Sequence, residues 1–341
     1  MKAILLAGGD GTRLKAVTGD APKPMVPLLG RPLMEYTLLH LRRCGFTEVC
    51  AALRYRAQDI IDHFGDGGRF GVSLRYQVET GAWGTAGAVR RCREFIGEED
   101  VLIISGDAAC DFDLRALWRR HRERRPAATL ALTREREPLR YGLAVTGENG
   151  LIRAFIEKPD WPHVVTDLVN TGIYVLSPRA VDAIPTDRPY DFARDLFPAL
   201  LENGEPLLGL PMPGYFCDVG TPLSYYRCCV DALEGRLSLP CDPAFRPAVP
   251  KTEPLPEEEG FSLDCPCRSR AAVMGTLSEQ LLALGADYRD GLRLGGADFG
   301  LHIAPLPGAE ALRVCVRAPD TEFARSFALS ARDLIAALEA E

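Results

Sequence analysis

The N-terminal stretch MKAILLAGGDGTRL, residues 1–14, decides how the chain reads. KAILLA (residues 2–7) is a short apolar run that stops at Gly8, the pattern of a buried strand feeding a glycine loop. Two familiar glycine motifs are excluded by spacing. A dinucleotide fingerprint needs GxGxxG, whereas the glycines here are Gly8, Gly9 and Gly11 with no third one in step. An ATPase-type loop needs GxxxxGK[ST], and Gly11 is followed by Thr12 and Arg13. Taken alone, the motif also fits a strand-to-loop turn that binds nothing.

The residues around it favour a polyphosphate. After Leu6, three consecutive small residues, Ala7, Gly8 and Gly9, followed by Gly11, let backbone N–H groups approach phosphate oxygens closely, while Thr12 adds a hydroxyl and Arg13 a five-donor cation; residues 6–9, 11 and 12 are the candidate triphosphate-binding loop. Lys23, between Pro22 and Pro24, is a second cation on stiff backbone. Asp107 ends the apolar run VLIISGD, and Asp218 ends GYFCD. Two such carboxylates suffice for Mg2+, which keeps waters and phosphate oxygens for its remaining positions. Each aspartate alone reads equally as a strand-end or turn residue. With Arg13 and Lys23 they form a candidate catalytic set.

Outward from this stretch, strands alternate with helices. PLMEYTLLHLRRCGF has helical spacing, TEVCAAL is a strand, RAQDIIDHF a helix, SLRYQVE a strand, GTAGAVRRCREFI a helix and VLIISGD a buried strand. That alternation predicts an α/β fold: a Rossmann-like, mixed but mostly parallel sheet, with ligands outside the carboxyl ends of its strands. Further strands are expected at ATLALT, YGLAVT, LIRAFIEKP, VNTGIYVLS, EPLLGLPM and GYFCDV, with helices at DFARDLFPALLENG and TPLSYYRCCVDALEGR. The division expected is a domain over 1–236, a proline- and acid-rich linker over 237–264, and a small α/β (α+β) domain over 265–341.

Composition narrows the function classes. The 341 residues are 47% hydrophobic and 26% charged with a formal charge of -7, which is globular and offers no global attraction for nucleic acid. The basic run WRRHRERR lacks interleaved aromatics and reads as a solvated helix face. Eleven scattered cysteines fit a reducing cytoplasm rather than a disulfide framework, and Cys228-Cys229 reads as helix filling. Cys265-Pro-Cys267 has poor zinc spacing and no matching pair downstream. No apolar run approaches a membrane-spanning length, so no membrane partner is expected.

LLAGGDGTRL, PKPMVPLLGRP, GTAGAV, ISGD, FIEKP, VNTGIYVL and CDVGTP, in this order over about residues 1–235, resemble the signature of sugar-1-phosphate nucleotidyltransferases, most closely the mannose-1-phosphate guanylyltransferases. The resemblance implies attack of a hexose-1-phosphate on the α-phosphorus of a nucleoside triphosphate, with Mg2+ as cofactor and pyrophosphate as leaving group. It assigns Arg13 to the β and γ phosphates, Lys23 to the reacting phosphoryl group, and Asp107 and Asp218 to the metal. Gly84, with Thr85 beside it, falls near the base. Gly142, Glu157, Asn170 and Thr171 fall around the sugar, and Lys158 at its phosphate.

Glu79 stands where thymidylyl relatives resemble one another in using glutamine, and a carboxylate suits the N1–H and N2–H2 donors of guanine. The alternative is a solvent-facing Glu79 with the base read by backbone groups, and Trp83 either lines the base or covers the loop. Glucose-1-phosphate thymidylyl- or uridylyltransferase is the competing reading, followed by a sugar-nucleotide sensor without turnover. Residues 287–335 are similar to the terminal domain of phosphohexomutases. The corresponding phosphate loop here is APLPGAEAL, without arginine, serine or threonine, so a structural, dimerising or effector-binding role is expected rather than mutase activity. His302 reads as a strand histidine, and homo-oligomer formation stays open.

Overall fold

The computed structural model of the protein describes residues 1–9, 11, 14, 21–135, 138–240, 261–282, 291–295, 300–306, 309–318 and 321–340. Thr12 and Arg13, most of the expected linker and Pro307 lie outside the described residues. Two compact units divide the chain. The first comprises 1–133, 144–155 and 170–252, and the second 134–143, 156–169 and 253–341.

The first unit begins with β1 (Lys2–Leu6), α1 (Leu33–Arg43), β2 (Glu48–Leu53), α2 (Ala57–Phe64), β3 (Ser73–Val78), α3 (Gly84–Arg91) and β4 (Val101–Ser105). After these come β5 (Ala108–Cys110), α4 (Leu114–Arg124) and β6 (Ala128–Arg134). Then follow β7 (Gly142–Thr146), β8 (Ile152–Glu157) and β9 (Leu168–Leu176), whose residues 142–143, 156–157 and 168–169 count with the second unit, and β10 (Leu207–Pro211), β11 (Phe216–Asp218) and α5 (Pro222–Leu233). The main sheet runs β8-β7-β9-β4-β1-β2-β3, with β6 beside β9 and β10 beside β6. β4, β1, β2 and β3 are parallel, and β9 runs antiparallel to β4. The mostly parallel, Rossmann-like sheet expected from the alternation is therefore present.

β1 and β4 are apolar on both faces because helices cover both, and their central residues are inaccessible to water. Phe46, Phe64, Phe112, Leu38 and Met34 fill the core beside them. Each large side chain buried in this way contributes about 1.5–3 kcal/mol of transfer free energy. On α4, Leu114, Leu117 and His121 face inward while Arg119, Arg120, Arg122 and Arg124 face water, the solvated face read from WRRHRERR. Asp113 caps this helix, accepting from the Arg115 and Ala116 N–H groups at 3.0 and 3.1 Å. Thr221 and Ser224 form a capping box before α5, with Pro222 in its first turn. Cys228 and Cys229 are free thiols buried on that helix.

DFARDLFPALLENG differs from the single helix expected. Phe192–Leu196 is a turn of π-helix, and an α-helix follows at Phe197–Glu202. Pro198 has no N–H to continue the regular ladder, and the Leu196 N–H reaches Asp191 O at 3.0 Å.

The second unit contains β12 (Phe261–Pro266), α6 (Arg270–Leu282), β13 (Leu292–Gly295), β14 (Gly300–Pro305), β15 (Ala311–Arg317) and α7 (Thr321–Ala340). Its sheet is antiparallel in the order β12-β15-β14-β13. Cys265, Cys267, Met274, Leu277, Ile303, Leu312, Val314 and Ile335 form its core. β12 begins at Phe261, inside the stretch expected to be linker. Residues 134–143 and 156–169, expected to belong to the larger domain, fold with this second unit.

Candidate active site

Lys23 is the centre of the site. Pro22 has extended backbone (φ -64°, ψ 144°) and leads into a single 3-10 turn, Lys23–Met25, closed by Met25 N–H to Pro22 O at 2.8 Å. The turn is held without side-chain help because both prolines restrict φ. The Lys23 ammonium lies 2.7 Å from Asp107 Oδ2 and 3.1 Å from Asp218 Oδ1. Burial alone would depress its pKa, but the two carboxylates outweigh that and hold it above the ordinary lysine value.

A strand too short to read from sequence brings these acids together. β5 follows Asp107 directly and pairs antiparallel with β11, setting Asp218 opposite Ala108. The Val219 N–H reaches Asp107 O at 3.3 Å, and the Ser105 hydroxyl donates a short hydrogen bond to Asp107 Oδ1. Three residues carry no usable periodicity, so β5 left no signal. Ser105 was equally inconspicuous as the last residue of an apolar strand.

The described part of the glycine loop leaves β1 beside this cluster. Gly106 N–H bonds Leu6 O at 2.8 Å, tying the loop's start to the end of β4. At Gly11, φ is +61° and a Cβ would stand 3.1 Å from Lys23 Cβ, so only glycine fits there without strain. A Cβ at Gly8 would stand 3.3 Å from Glu79 Oε2, whereas one at Gly9 would meet nothing within 4 Å.

Glu79 follows β3 and is anchored by its N–H to Leu53 O at 2.8 Å. Among the described residues its Oε1 is buried with no hydrogen-bond partner. Burial pushes the carboxyl up from its usual range, opposed by the Arg54 and Arg91 guanidiniums. Arg91 stacks on Trp83, its guanidinium carbon 3.5 Å from the ring centre.

Gly84 and Thr85 have a structural explanation of their own. Gly84 sits at φ +72°, and a Cβ there would come 2.4 Å from Tyr190 O. That carbonyl accepts from the Ala86 and Gly87 N–H groups, both at 3.0 Å. The Thr85 hydroxyl donates to Asp191 Oδ2 at 2.8 Å and accepts from the Phe192 N–H at 3.1 Å. Tyr190 and Asp191 carried no motif and were missed from the sequence.

Of the residues assigned to the sugar, Asn170 and Thr171 lie on β9 in the first unit. Asn170 Nδ2 donates to the Tyr174 hydroxyl at 2.8 Å, and Thr171, buried, donates to Ala131 O at 2.7 Å. Gly142, Glu157 and Lys158 lie in the second unit. Lys158 has φ +45°, rare for a side chain of this size, and its ammonium is 3.8 Å from Glu157 Oε1.

Asp107 and Asp218 suit a divalent cation. Both already converge on one positive charge, the Lys23 ammonium, and Mg2+ needs only one or two carboxylates when phosphates and waters complete its shell. No third His, Cys, Asp or Glu joins them in a metal-binding group among the described residues.

The site thus combines a glycine loop after the first strand with a lysine bridging two aspartates at the ends of distant strands, in a Rossmann-like α/β sheet. The chain belongs to the nucleotidyl transferase family, whose model matches residues 2–235. It is 36% identical over 251 residues to the UTP–glucose-1-phosphate uridylyltransferase of Synechocystis sp., covering 70% of this chain and 64% of that one. It is 33% identical over 234 residues to the mannose-1-phosphate guanylyltransferase of Mycobacterium tuberculosis, covering 68% and 65%. HddC from Yersinia pseudotuberculosis, solved in complex with GMP-PN, superposes with a TM-score of 0.59 at 27% identity, covering 68% of this chain and 99% of that one. The chain thus spans just under two thirds of the length of these two curated relatives. Among the described residues no helix is long and apolar enough to cross a membrane.

Proposed function

We propose that this protein transfers a nucleotidyl group from a nucleoside triphosphate to a hexose-1-phosphate, releasing pyrophosphate and forming a nucleotide-sugar. The observation that carries this reading is the Lys23 bridge between Asp107 and Asp218 beside the glycine loop. A phosphate oxygen of the sugar phosphate attacks the α-phosphorus, a P–O bond forms, and the bond to pyrophosphate breaks. No general base is required, because a phosphate monoester with a second pKa of about 6 is already anionic near neutral pH. Residues 6–9 and 11–12 cradle the triphosphate, Arg13 pairs with its β and γ phosphates, and Lys23 neutralises charge on the reacting phosphoryl group. Asp107 and Asp218 hold Mg2+, which when bound offsets negative charge on the phosphate oxygens. Gly142, Glu157, Asn170 and Thr171 contact the sugar, and Lys158 its phosphate.

GTP is the nucleotide and mannose-1-phosphate the acceptor in this reading. Glu79 supports guanine, because its buried Oε1, unpartnered among the described residues, is costly to keep charged unless a ligand donates to it. Guanine N1–H and N2–H2 supply two donors side by side, whereas uracil and thymine offer one N–H between two carbonyls. The guanylyltransferase relative and the HddC complex with GMP-PN support the same base. The 36% identity to a uridylyltransferase favours the second reading, uridylyl or thymidylyl transfer to glucose-1-phosphate. Pyrophosphate release with Mg2+, measured for four nucleoside triphosphates crossed with mannose- and glucose-1-phosphate, tests both. The highest kcat/KM is expected for GTP with mannose-1-phosphate. UTP or dTTP with glucose-1-phosphate in first place would establish the second reading, and no release with any pair would end the assignment.

A further inference from the structure

Residues 134–143 and 156–169 fold as part of the second unit, where three backbone ties hold them to each other. The Glu135 N–H reaches Asp167 O at 2.9 Å, the Lys158 N–H reaches Tyr141 O at 3.1 Å, and Val169 pairs with Leu143 across β9 and β7. Each segment also carries a short 3-10 turn, Pro138–Arg140 and Trp161–His163. From the first turn Leu139, and just past the second Val164, pack against the apolar core built by β12–β15, α6 and α7. α6 lies against the Trp161–His163 turn.

These contacts have a chemical consequence at Lys158. Its φ of +45° is strained for a side chain of this size and persists only where surrounding structure dictates it. The Lys158 N–H is held by Tyr141 O, two residues from Leu139, and the chain after Lys158 runs on to Val164. Leu139 and Val164 are the residues of these two segments that reach the C-terminal core.

We propose that the C-terminal unit is a positioning device for the sugar phosphate: by gripping Leu139 and Val164 it fixes the loop that presents Glu157 and Lys158. This rests on the functional reading above for the roles of those two residues. A core that carries no phosphate-binding side chains of its own in APLPGAEAL then acts by holding a neighbouring loop, not by binding substrate.

The test uses the full chain and two separate variants, Leu139→Ser and Val164→Ser, each at a half-buried position. Hydrogen exchange at the Lys158 amide should become faster in both variants, while amides of β1 and β4 stay protected. KM for the hexose-1-phosphate should rise about tenfold, with KM for the nucleotide within about twofold. Unchanged exchange at Lys158, or a KM rise shared equally by the nucleotide, overturns the proposal. Should the wild-type protein release no pyrophosphate with any hexose-1-phosphate, the functional reading falls. The exchange result still decides whether the C-terminal core holds Lys158.

Discussion

Lys23 Nζ stands 2.7 Å from Asp107 Oδ2, inside a site that also draws in Asp218 at 3.1 Å. A cation at this point keeps two carboxylates together. Lys23→Met should lower kcat by about a hundredfold or more, since a preorganised charge at the reacting phosphorus is lost. The same variant should bind Mn2+ more tightly than wild type without nucleotide, because the carboxylates lose their internal counter-ion. Steady-state kinetics and Mn2+ titration followed by electron paramagnetic resonance check the two halves separately.

Asp107→Ala should nearly abolish turnover while leaving the fold intact, as Asp107 is partly exposed and its carboxylate serves no helix cap. Circular dichroism and pyrophosphate release on the same sample decide it. Retained activity would remove Asp107 from the catalytic set.

Glu79→Gln should reduce the preference for GTP over UTP by about tenfold or more, since the amide presents a donor to guanine N–H groups in place of one acceptor. Competing GTP and UTP in one reaction gives the ratio directly. An unchanged ratio would mean that backbone groups read the base.

Gly84→Ala tests a structural claim. The new Cβ would lie 2.4 Å from Tyr190 O on backbone at φ +72°, so a loss of roughly 2–4 kcal/mol is expected in a denaturant melt. Stability equal to wild type would show that the start of α3 and the backbone at Tyr190 yield easily.

His40 predicts an acid dependence. Burial, then the Arg43 guanidinium, pushes it down to about 4, against the carbonyl of Phe112 and the more distant Asp111 and Asp113. The unfolded chain, titrating near 6.5, binds this proton first as pH falls. The stabilisation is therefore complete above about pH 6.5 and is lost as pH drops toward 4, on the order of 3 kcal/mol in all. His40→Gln should flatten the stability curve across that window by up to about one proton, measured by urea melts at stepped pH.

The alternation of KAILLA, TEVCAAL and VLIISGD with helical segments was enough to foresee the parallel sheet, because burial on both faces imposes continuous apolar runs that survive in any context. Lys23, Asp107 and Asp218 were legible as candidates because proline-stiffened and strand-end positions limit where a charge can sit. Their convergence was not legible. It depends on β5, three residues long, pairing with a strand more than a hundred residues later.

Local pattern also pointed to a small α/β unit at the C-terminal end, but not to β12, which begins in the expected linker, nor to what that unit holds. Residues 134–143 and 156–169 have strand and turn signals that suit either unit, and only the packing of Leu139 and Val164 on a distant core assigns them. Hydrophobic contacts carry no sequence address, so partners so far apart in the chain are chosen by shape and burial in the folded protein. For the same reason the sequence could offer Glu79 as a base reader, while its buried oxygen, unpaired among the described residues, came from the tertiary structure alone.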